Sequence, residues 1–250
     1  MNIFEDGNKL LLGNLVSENK KYPTFTYTRS PFVSEYYNFV RPIVDLEEFD
    51  WQQAEQVIEA ERKRGFHFSY YIEQNEKYFQ YPQVLRQKGY SVCLKDKYLF
   101  KELDNTEVLP LAKFIEADTN SFKDYLAIST ICFPDWDTNE KFCRLLFDLS
   151  LRSGQTRAVN FIQQLDGQNT GIASAIYSKD LDLAYLTNMG TVLKFRGKGL
   201  HKQAIGSLGN WLFKKGVASA YSIVEPDLVS EHNFKKLGYR QQVFFEVFFK

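Results

Sequence analysis

The sequence predicts an α/β protein: a mixed sheet with helices on its faces. Amphipathic runs of helical period alternate with short aromatic or β-branched runs, the pattern of a sheet covered by helices. A clear hairpin signal lies in the middle of the chain. The order helix, strand, helix, basic–x–Gly–Tyr turn, strand also occurs twice, about 150 residues apart.

From the N-terminus, "MNIFEDGNKLLLGNLVSENKK" has a short apolar run but begins acidic and lacks a small-residue cleavage site, so it is not read as a signal peptide. Asp50 to Arg64 reads as a helix: Asp50 caps it, Trp51, Ala54, Val57, Ile58 and Ala60 form its apolar stripe, and Gly65 ends it. Phe66 to Ile72 is aromatic and strand-like. A helix interrupted near Pro82 runs into "LRQKGY", Leu85 to Tyr90, and "SVCLKDKYLFKEL" has strand character. The polar stretch Leu103 to Val108 marks a boundary between domains 1–105 and 106–250. A strand "VLPLAKFIEA" and two helices, "SFKDYLAISTICF" and "NEKFCRLLFDLSLRSG", follow. "AVNFIQQLDGQNTGIASAIYS" is a hairpin around Asp166, Gly167 and Asn169. "LAYLTNMGTV" is a strand, and Leu200 to Lys215 a helix with Gly216 just past its end. Ala218 to Val224 reads as a buried strand, a helix starts near Leu228 and ends in "KKLGY", and "QVFFEVFF" is the last strand. The second domain therefore reads β-α-α-β-β-β-α-β-α-β. A tandem pair of related domains explains the doubled order; chance likeness between α/β segments remains its alternative.

Lys plus Arg equals Asp plus Glu over the 250 residues, so the net charge is zero. That argues against a general nucleic-acid binder, which carries a basic excess. No segment approaches the ~20 apolar residues of a membrane helix, and a soluble, cytoplasmic protein is the expectation. Cys93, Cys132 and Cys143 are far apart and in no metal-ligand spacing, so they read as reduced packing thiols with no metal site.

The positive charge that exists is concentrated. Arg196, Lys198, His201 and Lys202 fall at one strand-to-helix turn beside Gly197 and Gly199. Exposed N–H groups of a first helical turn carry partial positive charge, and glycine lets a phosphate approach the backbone. An anion site and a solvated basic turn explain these residues equally well. The pattern G-x-x-x-x-G-K-[ST] is absent, because Lys198 is followed by Gly199. The dinucleotide fingerprint fails because Lys202 stands three after Gly199.

"GTVLKFRGKGL" resembles the acetyl-CoA motif of the GNAT superfamily of N-acetyltransferases, R/Q-x-x-G-x-G/A after a strand. Arg196, Gly197, Lys198, Gly199 and Leu200 match it in order, and Gly190 and Thr191 match a frequent lead-in. Leu193 departs from a common proline, and His201 stands where Gly or Ala is usual. "FKKLGY", Phe234 to Tyr239, is similar to the family's C-terminal signature. The resemblance covers roughly Val108 to Lys250 and implies a complete GNAT fold there. The N-terminal copy is partial and degenerate: acidic "VDLEEFD" replaces its phosphate turn and would repel a pyrophosphate.

The resemblance implies direct attack of an amine, on a small molecule or peptide, on the thioester of acetyl-CoA. Backbone groups of Met189, Gly190 and Thr191 would bond the pantetheine in a gap beyond the strand, and Gly197 to Lys202, with Arg196, would hold the pyrophosphate. Glu225, with Asp227 close behind, is the candidate base for the attacking ammonium; Glu231 and His232 are weaker ones. Phe234 occupies the position of the usual tyrosine acid and has no proton to give: either the thiolate leaves without that acid, another hydroxyl such as Tyr239 or Ser230 substitutes, or the domain has lost activity. The alternatives are a non-catalytic acyl-CoA-binding protein and, from the doubled architecture, transfer from aminoacyl-tRNA, which would need a broad basic groove. Asp135 and Asp137 beside Trp136 can hold a cationic amine, or simply join two helices.

Overall fold

The computed structural model describes residues 3–11, 13–105, 112–134 and 138–250. Helix α1 (Ile3–Leu11) precedes strands β1 (Glu18–Lys21), β2 (Phe25–Arg29) and β3 (Phe39–Pro42). Next come α2 (Trp51–Lys63), β4 (Ser69–Glu73), α3 (Tyr81–Gln87), β5 (Ser91–Glu102) and β6 (Lys113–Glu116). Helices α4 (Phe122–Cys132) and α5 (Asn139–Leu151) lead to β7 (Thr156–Leu165), β8 (Gln168–Ser178) and β9 (Leu183–Thr191). The chain closes with α6 (Leu200–Lys214), β10 (Ser219–Val224), α7 (Val229–Lys236) and β11 (Arg240–Phe249). From β6 onward this is the predicted order. Val108 to Leu111 of the predicted strand, and Asp135, Trp136 and Asp137, lie outside the described residues.

Local chemistry explains most boundaries. The Asp50 side chain accepts from the Gln53 N–H at 2.9 Å and caps α2. Pro82 does not interrupt α3; it stands in the first turn, where a missing N–H costs nothing. Asp166 and Gly167 both have positive φ (51° and 75°), as a two-residue hairpin turn between β7 and β8 requires. The doubled order is present as α2-β4-α3-β5 and α6-β10-α7-β11, with left-handed glycines at matching places: Gly65 and Gly216, then Gly89 and Gly238. Helix α1 and strands β1 to β3 are additions that the sequence pattern did not reveal.

The chain forms two compact units, which are not the two consecutive segments expected. One comprises Met1–Leu10 and Tyr98–Gln242, the other Leu11–Lys97 and Val243–Lys250. The reason is strand pairing. Phe245 to Phe248 of β11 lie antiparallel to Tyr70 to Glu73 of β4, so the last strand joins the unit built from the first half.

In that unit the strand order is β1-β2-β3-β4-β11. Its core is strongly aromatic: Phe25, Tyr27, Tyr70, Ile72 and Phe248 from the strands pack on Ala54, Ile58, Tyr81 and Leu85 from α2 and α3. Tyr70 and Tyr90 both donate to the Glu55 carboxylate, at 3.1 and 2.9 Å, satisfying two buried hydroxyls at once.

The other unit has strand order β5-β10-β9-β8-β7-β6 and helices on both faces. Val159, Phe161, Ala173, Ala175, Ala184, Leu186 and Ala220 meet Ala204, Ile205, Leu208 and Leu212 of α6. On the opposite face Ile162 and Ile172 meet Tyr125, Ile128 and Cys132 of α4 and Cys143 of α5. Among the described residues no helix is long and apolar enough to cross a membrane.

Candidate functional site

Strand β9 is irregular where it approaches the glycine turn. Ser174 lies opposite Thr187 and Ile172 opposite Gly190, so β9 fits three steps to two of β8. The extra residue makes a bulge, which breaks the ladder and re-aims the strand. Asn188, with φ 48°, sits at this step. Asparagine tolerates that conformation better than most residues.

A buried polar network holds the bulge. The Asn188 amide donates to the Tyr125 hydroxyl at 2.6 Å, and its oxygen accepts from Ser129 Oγ at 3.3 Å. Tyr125 and Ser174 are 2.6 Å apart, Ser174 donates to Asn160 at 2.8 Å, and Ser129 donates to Asn139 at 2.7 Å. Burial raises the Tyr125 hydroxyl well above its ordinary pKa, so it stays neutral. Gly190 has no room for a side chain: an added Cβ would lie 2.6 Å from Cys132 Cβ and 3.1 Å from the Phe133 ring.

On its other edge β9 loses its partner. Parallel pairing with β10 covers Leu183, Ala184 and Tyr185 against Ser219, Ala220 and Tyr221. Met189, Gly190 and Thr191 lie beyond it. The Thr191 hydroxyl is buried without a hydrogen-bond partner.

After a short 3-10 turn (Leu193–Phe195) the chain passes Arg196 to Gly199 into α6. Gly197 and Gly199 have φ of 78° and 77°, the left-handed region that favours glycine. Arg196 to Gly199 are exposed. Arg196 Nε donates to the Thr191 carbonyl at 3.0 Å, while Lys194 and Lys198 lie 4.7 and 5.6 Å from the Phe195 ring centroid. Gly199 is the N-cap, with no side chain to satisfy the first-turn N–H groups, and Gln203 makes the first α-helical bond back to it. Gln163 on β7 fastens this turn from below, donating to the Leu200 carbonyl at 3.1 Å and to Gln203 Oε1 at 3.2 Å. The arrangement can bind an anion through backbone N–H groups, with Lys198 and Lys202 alongside.

Not every predicted residue faces this turn. His201 is directed elsewhere: Asn233 Nδ2 lies 3.2 Å from its Nδ1, and its ring stands edge-on to Phe234. Desolvation pushes its pKa down to about 4, so the ring is neutral at pH 7. Glu225 is exposed, one residue past the end of β10. Glu231 is nearly buried, accepts from the Asp227 N–H at 2.7 Å and pairs with Lys235 at 2.6 Å, the work of a cap within α7. Phe234 is buried against Tyr239. The Tyr239 hydroxyl points to mid-helix α6, 3.9 Å from a Cβ added at Gly209. That is nine residues, about 13 Å, along the helix from Leu200. Sequence reasoning missed Tyr125, Asn160, Gln163, Ser174, Asn188 and Gln203. The one local signal was polar residues set inside the apolar strands "VNFIQQ" and "LTNMG".

No protein-family model and no curated protein matches the chain by sequence. Solved structures do match it by shape. A GCN5-related N-acetyltransferase from Kribbella flavida superposes with a TM-score of 0.68 at 14% identity, over 100% of this chain and 95% of its own. The fold is that of the GNAT acetyltransferases. A second GCN5-related N-acetyltransferase, from Sphaerobacter thermophilus, gives 0.67 at 10% identity over 98% and 84% of the two chains. A tandem GNAT protein from the clavulanic acid biosynthesis pathway gives 0.61 at 10% identity over 90% and 78%. Within the GNAT fold of this chain, the bulged strand β9 leads into the glycine turn of α6.

Proposed function

We propose that this chain is an N-acetyltransferase, binding acetyl-CoA at the turn Arg196 to Lys202 and passing the acetyl group to an amine of a small molecule or peptide. The observation that carries the reading is the junction of β9 and α6. A strand whose register with β10 spans Leu183 to Tyr185 runs into a left-handed Gly197/Gly199 turn whose helix N-terminus has no side-chain cap. The residues fit the donor's phosphate end: a Cβ at Gly197 would meet nothing within 4 Å, leaving room for close approach. The orphaned Thr191 hydroxyl and the backbone of Met189 and Gly190 suit the amides of the pantetheine arm.

In this reading the protein contributes mainly position and polarity. The bulge, pinned through Asn188, fixes the direction of the Met189 and Gly190 amides toward the thioester carbonyl, where negative charge develops. Glu225 takes a proton from the acceptor ammonium, directly or through a water, so that the free amine attacks the thioester carbon; the C–S bond breaks and CoA leaves as thiolate, protonated by solvent. The cofactor supplies the activated acyl group. The unit of Met1–Leu10 and Tyr98–Gln242 would carry the catalysis, and the unit of Leu11–Lys97 and Val243–Lys250 would be a degenerate GNAT-like partner without a phosphate turn. A cytoplasmic location without membrane or nucleic-acid partners completes the proposal.

The test is calorimetric titration of acetyl-CoA into the protein and into a variant carrying Arg196→Ala and Gly199→Glu, followed by an amine screen for CoA thiol release. Binding that the variant loses, with amine-dependent release, supports the reading. No binding at roughly millimolar ligand removes it. One observation favours a second reading, an acyl-CoA-binding protein without catalysis: Phe234 is buried where a proton donor is expected. Binding with no amine-dependent release across the screen would select that reading.

A further inference from the structure

The parallel ladder between β10 and β9 is followed by a side-chain bond. Its register sets Ser219, Ala220 and Tyr221 opposite Leu183, Ala184 and Tyr185. One step further the same offset of 36 residues brings Ser222 to Leu186, and there the Ser222 hydroxyl donates to the Leu186 carbonyl at 2.9 Å. Ser222 is buried in an apolar row: Ala220 and Val224, on the same face of β10, and Leu186 all belong to the core under α6. A hydroxyl in such a row costs free energy unless it is bonded, so apolar packing gives no reason for a serine here. On the opposite face the last paired residues, Tyr221 and Tyr185, stack with ring centroids 5.0 Å apart. Beyond this point the strands lead to different parts of the proposed site. Three residues past Leu186, β9 reaches Met189; three residues past Ser222, β10 has ended and Glu225 is exposed.

Resting on the proposed function, we propose that Ser222 is a positioning residue for the donor: its bond to Leu186 fixes the root of the fork between β9 and β10, and so holds the backbone of Met189 and Gly190 ready for the thioester arm. Ser222 itself touches no substrate. A further ladder rung would continue the sheet at the ordinary strand spacing of about 4.8 Å. A hydroxyl ties the two strands without requiring that the residues after it pair. A fork set in advance spares the arm the cost of ordering it on binding. The donor's phosphate end is held by the turn Arg196 to Lys202, outside the fork, and does not sense its root.

The experiment separates the donor into its parts. Adenosine 3′-phosphate 5′-diphosphate, the phosphate end alone, and whole acetyl-CoA are titrated into the parent protein, Ser222→Ala and Ser222→Thr. The nucleotide is expected to bind all three alike. Acetyl-CoA is expected to bind Ser222→Ala roughly fivefold more weakly than the parent, the size of one hydrogen bond. Ser222→Thr, which keeps the hydroxyl, is expected to restore the parent's affinity. Should either variant fail to fold, Ser222→Cys, of nearly the same size but only a weak donor, is read for the same split between the two ligands. Acetyl-CoA affinity that is unchanged without the hydroxyl, that falls equally for both ligands, or that falls as far in Ser222→Thr as in Ser222→Ala overturns this inference and leaves the proposed function standing. Failure of both ligands on the parent overturns the two together.

Discussion

Asn188 on β9 donates to the Tyr125 hydroxyl on α4 at 2.6 Å, joining residues 63 apart in sequence at the bulge between β8 and β9. Both are buried, and each has a second partner in the same network. The bond makes the bulge a property of the α4 helix as well as of the strand.

Tyr125→Phe therefore removes a donor and an acceptor from a buried site. Leaving Asn188 and Ser174 short of a partner is expected to cost about 1–3 kcal/mol in a urea titration. Asn188→Gly keeps the positive φ but loses the bonds, and is expected to cost a similar amount. The double variant should cost much less than the sum, since the two changes break one contact. Additive losses would show that the pair is not coupled.

Glycine substitutions separate crowding from backbone strain. A Cβ at Gly171 would stand 2.4 Å from the Gly190 carbonyl oxygen, a backbone atom of the adjacent strand that cannot step aside. Gly171→Ala is expected to cost more than about 3 kcal/mol or to prevent folding. At Gly197 nothing lies within 4 Å, so Gly197→Ala meets only the cost of a left-handed φ, roughly 1–2 kcal/mol. Thermal melts of the two should rank in that order; equal losses would count against the close approach of β8 and β9.

The contrast shows where the sequence was legible. The Asp166–Gly167 hairpin, the α2 cap at Asp50 and the glycine ends of α2 and α6 follow from residues within a few positions of one another. Strand β1, "ENKK", carries no apolar alternation, so it is strand only because β2 pairs with it. The Asn188 bulge depends on hydroxyls from α4 and β8, and the Gln163–Gln203 contact joins residues 40 apart, beyond any local period. Nor can local pattern show that Phe245 to Phe248 of β11 lie against β4, a pairing set by long-range packing.

His201 gives the unit a defined response to acid. Its folded value is about 4, against an ordinary 6.5. Between these the unfolded chain holds a proton that the folded chain does not, so stability rises with pH across the window. Acidification from about pH 6.5 toward 4 should remove up to roughly 3 kcal/mol. His201→Gln, which keeps a donor and an acceptor but does not titrate, should lose less over the same range. Parallel stability curves for parent and variant would show that the imidazole is not buried as described.

Glu225 and Glu231 offer the sharpest division between chemistry and structure. Glu231 is engaged by the Asp227 N–H and by Lys235, so Glu231→Gln should lower stability through a weakened α7 start with little effect on turnover per folded molecule. Glu225 extends from the end of β10, exposed and available to a substrate amine. If it is the base, Glu225→Gln should leave the melting temperature and acetyl-CoA affinity unchanged and lower kcat by about 10²–10⁴. Both effects are read from the same preparations, by calorimetry and by thiol release with an accepted amine. A Glu225→Gln variant at full rate would move the base elsewhere, and exposed His232 on α7 would be the next residue to substitute.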